Sequence, residues 1–322
     1  MTPAQSTQWA NYCESYWALL RGEMPGGWDL HEHRWTAELS KPAFLQPQHE
    51  WRGEDFQRRS LLLYYEQGAG DMFQFIRFAS MVKPRGGQVL LACTADQADV
   101  LGTCPGIDEV WPVVHGRPGP TPGFDLHLPV CSLPRIFRTD LATIPSSCPY
   151  LSVPPFVRTR ELLVSLTARV DGYRRVGLMW AGSPTHPNDK NRSIPPGALD
   201  ALASIPGCAW FGFQLEPKAT PNLPGLVNLG AALITWSETA FALSQMDLLI
   251  TADTGIAHLA GAMGVPVWVL LPYFPDFRWL LDRSDSPWYP TMRIFRQPKP
   301  GDWPSVLAEV VAALGSLSRG AA

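Results

Sequence analysis

Residues 248–271 read LLITADTGIAHLAGAMGVPVWVLL, apolar throughout except for a break at Thr251-Ala252-Asp253-Thr254-Gly255. The run DLLITAD has the length and composition of a buried strand, with Asp253 at its carboxyl end. Thr254 and Gly255 then open a helix whose buried face is Ile256, Leu259, Ala260 and Met263, and PVWVLL forms the next strand. A helix start presents unpaired N–H groups and the positive end of a dipole, and Gly255 lets an anion approach the backbone. Phosphate is the natural guest of such a place. A simple cap by Asp253 or Thr254 is the plainer reading of the same residues. His258, one turn into the helix, is either a satisfied core histidine or a ligand contact.

The same texture extends on both sides. RVGLMWAG from Arg175, the helical pattern PPGALDALASI, AWFGFQLE from Ala209, a helix near Ser237 to Gln245 and a last helix from about Asp302 to Leu317 complete one half. In the other half, SLLLYYEQ, DMFQFIRFASMV, QVLLACT, EVWPV and FDLHLPV again alternate strand and helix patterns between residues 60 and 130. Strand alternating with helix predicts parallel sheets covered on both faces. Segments 115–123 and 144–158 are rich in Pro, Gly or Ser and read as loop or linker. Two Rossmann-like halves follow, and open parallel sheets bind ligands at the carboxyl ends of their strands.

Ahead of these halves, Trp9, Tyr12, Tyr16, Leu19 and Leu20 recur at helical spacing. A break at Gly26-Gly27 then leads to a second helical pattern through Trp28, Leu30 and Trp35. This predicts a helical hairpin, one repeat without a second copy. The expected division is therefore a hairpin over 1–45, an N-terminal Rossmann-like domain over 46–160 and a C-terminal one over 161–322.

Bulk properties exclude several classes. The 322 residues carry 26 Lys+Arg against 29 Asp+Glu, a net charge of -3, which lacks the basic footprint that a nucleic-acid binder needs. The six cysteines include no C-x-x-C pair, so neither a zinc signature nor a disulfide framework is expected. No signal-peptide pattern opens the chain and no apolar run reaches the roughly 18 residues that span a bilayer. A cytoplasmic protein without a transmembrane segment is the expectation.

Two further stretches carry chemistry. SLLLYYEQ ends in Glu66-Gln67-Gly68-Ala69-Gly70-Asp71 before a helix. The dinucleotide fingerprint G-x-G-x-x-G is rejected there, because its third glycine falls at Phe73. Asp71, at a strand end and a helix start, suits a general base for a hydroxyl nucleophile or an N-cap. The loop 182–196, GSPTHPNDKNRSIPP, sets Lys190 and Arg192 close together. They are either an ordinary solvated pair or the positive charge that neutralises a diphosphate leaving group without a metal. Gln214 and Glu216, at the end of AWFGFQLE, are placed to meet a base or ribose. No D-x-D pair lies on a strand end, and G-x-S-x-G, Walker A and H-E-x-x-H are absent from the sequence.

Taken together, these motifs resemble a known family. TADTGIAHLAGAMGVPVWVLL resembles the donor-side motif of glycosyltransferase family 9, heptosyltransferase-like enzymes of GT-B architecture, and YYEQGAGDMFQFIRF resembles their Gly-Asp turn. WAGSPTHPNDKNRSIP, FDLHLPVCSLPRIF and FRWLLDRSDSPWYPTMRIFRQ are similar to the transferase module found behind tetratricopeptide repeats in bacterial proteins, and GGWDLHEHRW to the end of the last repeat. The resemblance implies an α/β GT-B fold, two Rossmann-like domains facing across a cleft. It implies Asp71 as catalytic base, with Gln67, Gly68 and Gly70 on the acceptor side. On the donor side it implies Ser183, Lys190, Arg192, Asp253, Thr254, Gly255 and His258. The loop is longer and richer in Pro than in the heptosyltransferases, so the sugar is left open.

The expected activity is a metal-independent, inverting transfer of a sugar from a nucleotide-diphosphate sugar to a hydroxyl of a glycan, lipid or protein. No cofactor is expected; the nucleotide sugar is a co-substrate. A nucleotide-sugar epimerase of the same fold and a non-catalytic nucleotide- or partner-binding module are the alternatives.

Overall fold

The computed structural model describes residues 3–37, 49–113, 123–168, 170, 172–215 and 219–319. The chain forms two compact units, Met1–Ser146 with Asp276–Arg283, and Ser147–Pro275 with Ser284–Ala322. The helices at the amino terminus thus share a unit with the first sheet, and a short segment from far along the chain joins them.

The first unit runs α1 (Pro3–Leu20), α2 (Met24–His31), α3 (Arg34–Ala37), β1 (Ser60–Tyr64), α4 (Ala69–Phe75), α5 (Ala79–Val82), β2 (Gln88–Thr94), α6 (Ala98–Leu101), β3 (Glu109–Val113), β4 (Leu126–Pro129) and α7 (Leu133–Ile136). Its four strands are all parallel, in the order β3-β2-β1-β4. Leu62 of β1 lies between Leu90 of β2 and His127 of β4. Leu61, Leu62 and Leu63 are all buried, as expected of a strand covered on both faces.

Two helical readings need correction. Gly26 and Gly27 do not break the helix: both lie inside α2, and the turn falls at Gly22, whose φ of 82° suits glycine. Gly27 serves close packing instead. A Cβ there would stand 2.8 Å from the Leu19 side chain of α1. The pattern 71–82 is also not one helix, because a 3-10 segment Ile76–Phe78 separates α4 from α5.

The second unit runs α8 (Arg160–Thr167), β5 (Arg174–Met179), α9 (Asp189–Arg192), β6 (Cys208–Gly212), β7 (Val227–Asn228), α10 (Trp236–Leu243), β8 (Leu248–Ala252), α11 (Gly255–Ala262), β9 (Val267–Leu271), β10 (Met292–Arg296) and α12 (Trp303–Arg319). Its six strands are parallel in the order β10-β9-β8-β5-β6-β7. Counted within the unit this is 3-2-1-4-5-6, the doubly wound Rossmann order. Val176, Leu178, Trp210, Leu248, Ile250 and Leu270 form the core with Val306, Leu307, Val310 and Leu314 of α12. The stretch 195–205, expected as an α-helix, is 3-10 over Pro196–Ser204. Among the described residues, no helix is long and apolar enough to cross a membrane.

Candidate functional site

In a doubly wound sheet the crevice for a ligand opens where the strand order reverses. In the second unit that point lies between β5 and β8. The segments leaving those strands are Ala181-Gly182 and Asp253-Thr254, the two stretches singled out by sequence.

Arg192 joins them. Its Nη1 donates to the Asp253 carbonyl at 2.9 Å, and its Nε lies 3.3 Å from Asp189 Oδ1. A Cβ on Gly182 would sit 2.2 Å from Arg192 Nη2, so the residue after Ala181 must be glycine for the guanidinium to lie there. The loop between them is closed by Ile194 N–H donating to the Trp180 carbonyl at 2.7 Å. Arg192 is thereby fixed at the approach to α11, while Lys190 and Ser183 are exposed, with Ser183 Oγ 2.8 Å from Thr185 Oγ1.

Thr254 is the N-cap of α11 in extended conformation, yet its side chain accepts no hydrogen bond from the first turn. Its hydroxyl lies 3.3 Å from that of Thr251. At α10, by contrast, Thr235 and Glu238 form a complete capping box. The Thr254 hydroxyl therefore caps none of the first-turn N–H groups of α11, which sit at the positive end of the helix dipole.

The sequence also proposes Gln214, Glu216 and His258 for the donor side. Gln214 is buried with Oε1 accepting from Ala181 N–H at 3.0 Å, so it braces the β5 loop. His258 is buried, Nδ1 2.9 Å from the Tyr289 hydroxyl. Glu216 lies outside the described residues.

The first unit reverses its strand order between β1 and β4, and β1 leads into Asp71. Gln67 has a φ of 58°, a left-handed backbone that is costly for a residue with a side chain and that recurs at functional turns. Gly68 is the N-cap of α4, and its N–H donates to Asp71 Oδ2 at 2.8 Å. Gly70 falls in the first turn of α4. Asp71 Oδ1 accepts from Nη2 of Arg278, in the 3-10 turn Phe277–Trp279. Burial pushes the Asp71 carboxyl above the usual carboxylate range, and the Arg278 guanidinium and Gly68 N–H oppose that.

A buried polar network lies beneath the turn. Arg34 holds both Glu66 oxygens, Nε to Oε2 at 2.6 Å and Nη2 to Oε1 at 2.8 Å, and also donates to Glu32 Oε1 at 2.9 Å and Ser132 Oγ at 2.8 Å. Glu66 Oε1 also accepts from Cys131 N–H at 3.1 Å. Neither Arg34, Glu66 nor Arg278 was among the candidates drawn from sequence. For Arg34 and Arg278, quoted only inside longer stretches, no local signal marks the role. Glu66 abuts the Gly-Asp turn and was legible as a neighbour.

No family model matches the sequence. Protein FlbA of Caulobacter vibrioides is 23% identical over 332 aligned positions, covering 92% of this chain and 53% of FlbA, so the chain spans about half the length of that relative. Among solved structures, a glycosyl transferase family 9 protein from Veillonella parvula superposes with a TM-score of 0.54 at 14% identity, over 77% of this chain and 88% of its own. The E. coli ADP-heptose LPS heptosyltransferase II gives a TM-score of 0.53 at 14% identity, over 81% and 99%. At such identities the likeness is one of fold: a mixed α/β chain with parallel sheets, shared with family 9 heptosyltransferases.

Proposed function

We propose that this chain is a GT-B glycosyltransferase, metal-independent and inverting, that takes its sugar from a nucleotide-diphosphate donor. The observation that carries the reading is the guanidinium of Arg192 fixed on the carbonyl that precedes a helix start whose N-cap hydroxyl makes no capping bond, at the strand reversal of the second unit. Two independent sources of positive potential converge there on one place, as a departing diphosphate requires. Lys190 and Ser183 are exposed in the same loop. Thr254 and Gly255 offer backbone N–H groups.

Asp71 is the proposed base. The acceptor oxygen attacks the anomeric carbon as its proton passes to Asp71. The bond from that carbon to the diphosphate breaks with its electron pair on the leaving oxygen, and a single displacement inverts the configuration. Gln67, Gly68 and Gly70 lie around the base on the acceptor side.

A thermal-shift panel of nucleoside diphosphates and their sugars identifies the donor, and transfer is then assayed with it. Asp71→Asn is expected to keep donor binding and to lose about 10²- to 10⁴-fold in turnover; unchanged turnover removes Asp71 from the role. Activity is expected to survive EDTA. Loss on chelation, restored by Mg²⁺ or Mn²⁺, overturns the metal-free reading. An altered sugar formed from donor alone would favour epimerase chemistry.

A further inference from the structure

The segment Asp276–Arg283 belongs to the first unit although its neighbours in sequence belong to the second. Phe277 seats it: the ring centroid lies 5.5 Å from Tyr16, 5.9 Å from Trp28 and 6.0 Å from His31, each in an edge-on contact. Arg278 follows, and both of its terminal nitrogens are directed at carboxylates. Nη1 donates to Asp276 Oδ1 at 2.7 Å and Nη2 to Asp71 Oδ1, while the guanidinium carbon lies 4.4 Å from the Phe277 ring centre and 5.6 Å from that of Phe75. Asp71 and Phe75 stand four positions apart on α4, so one guanidinium covers one stripe of that helix.

We infer that Arg278 is the positioning residue for Asp71, anchoring the carboxylate for proton transfer from the acceptor. The inference rests on the reading of Asp71 as base. Arg278 donates to Asp71 Oδ1 and Gly68 N–H to Oδ2, so both carboxylate oxygens are held in place by a fixed donor. Arg278 also answers a cost of the site. Removal from water favours the protonated acid, which cannot accept a proton, and an adjacent guanidinium favours the carboxylate. The other groups facing the pair are Asp276, which opposes ionisation of Asp71, and the Cys131 thiol, which burial keeps protonated. His31 faces Arg278 and is held neutral by burial, then by Arg34 and Arg278.

The test is the Asp71 titration, read by carbon NMR of the whole protein labelled at aspartate carboxyl carbons, with Asp71→Asn identifying the signal. Arg278→Gln and Arg278→Met remove the charge, with Gln able to keep a bond to Asp276, and are expected to raise the midpoint by about one to three pH units. Arg278→Lys is expected to return most of that rise. The acid limb of the transfer rate should move with the midpoint. A midpoint unmoved in whichever neutral variant folds overturns the inference and leaves Arg278 a structural ion pair, visible only in stability. If Asp71→Asn transfers sugar at the normal rate, the base reading fails instead, whatever the titration does.

Discussion

Gly182 shows how much one missing methyl can decide. A Cβ at that position would occupy the space of Arg192 Nη2, so in Gly182→Ala the guanidinium has to shift, and its Nη1 bond to the Asp253 carbonyl is expected to weaken or be lost. Diphosphate affinity is expected to fall about tenfold or more with the fold intact, one charge-assisted contact being worth about 1.5–3 kcal/mol. Calorimetric titration checks it, and equal affinity would show that Arg192 does not hold the phosphates. Protons make a second case. His31 is neutral in the fold but protonates near pH 6.5 when unfolded, so the unfolded state binds more protons below that value. Stability is therefore expected to decline as pH drops below about 6.5, and His31→Gln to flatten the decline in denaturant melts. Asp71 is shifted in the opposite direction, upward, so if it is the proposed base the acid limb of turnover is expected above the ordinary aspartate value, with rate rising as pH rises. The Asp71 and Thr254 turns were legible because strand end, glycine and helix start are adjacent in sequence. Arg278 was not, since the contact spans 207 positions and no local pattern encodes it.

Among elements, the comparison of α10 with α11 separates a helix start built for stability from one left open. Thr235 caps α10, its oxygen accepting from Ser237 N–H at 3.2 Å while Glu238 reaches back to Thr235 N–H at 2.7 Å. Thr235→Ala is expected to cost about 1 kcal/mol. Thr254→Ala removes only a hydroxyl contact with Thr251, so its effect should appear in diphosphate binding before it appears in unfolding. Chemical denaturation of both variants distinguishes these outcomes; an equal loss would assign Thr254 to capping. The Arg34–Glu66 pair works at the same scale, tying α3 to the end of β1. Arg34→Met leaves a buried carboxylate unpaired and should destabilise by about 3–5 kcal/mol, and adding Glu66→Gln should recover part of that. Strands were readable here from apolar runs, whereas the 3-10 segments were not: Pro196–Ser204 has helical spacing but a Pro-Pro-Gly start. The glycines of α2 misled for a related reason, since sequence alone cannot tell a glycine that breaks a helix from one that lets two helices touch.

For the whole molecule, the division of labour is uneven in sequence. Every described residue proposed for the donor side, from Ser183 to His258, lies in the second unit, and the proposed base lies in the first, completed by Asp276–Arg283. Loosening that segment should thus lower stability without touching the donor site. Phe277→Ala empties the space between Tyr16, Trp28 and His31, and a buried Phe replaced by Ala costs about 3–5 kcal/mol. With two units, unfolding need not be two-state, so the loss is read as a lowered first transition in calorimetry, not as one global value. A diphosphate at 100 times its dissociation constant adds about 2.7 kcal/mol to whatever state binds it. That increment is expected to persist in Phe277→Ala, while transfer declines because Arg278 is no longer held on Asp71. Persistence of both would mean that the segment only pads the first unit; loss of both would mean that the donor site depends on it, contrary to a donor site carried by the second unit alone.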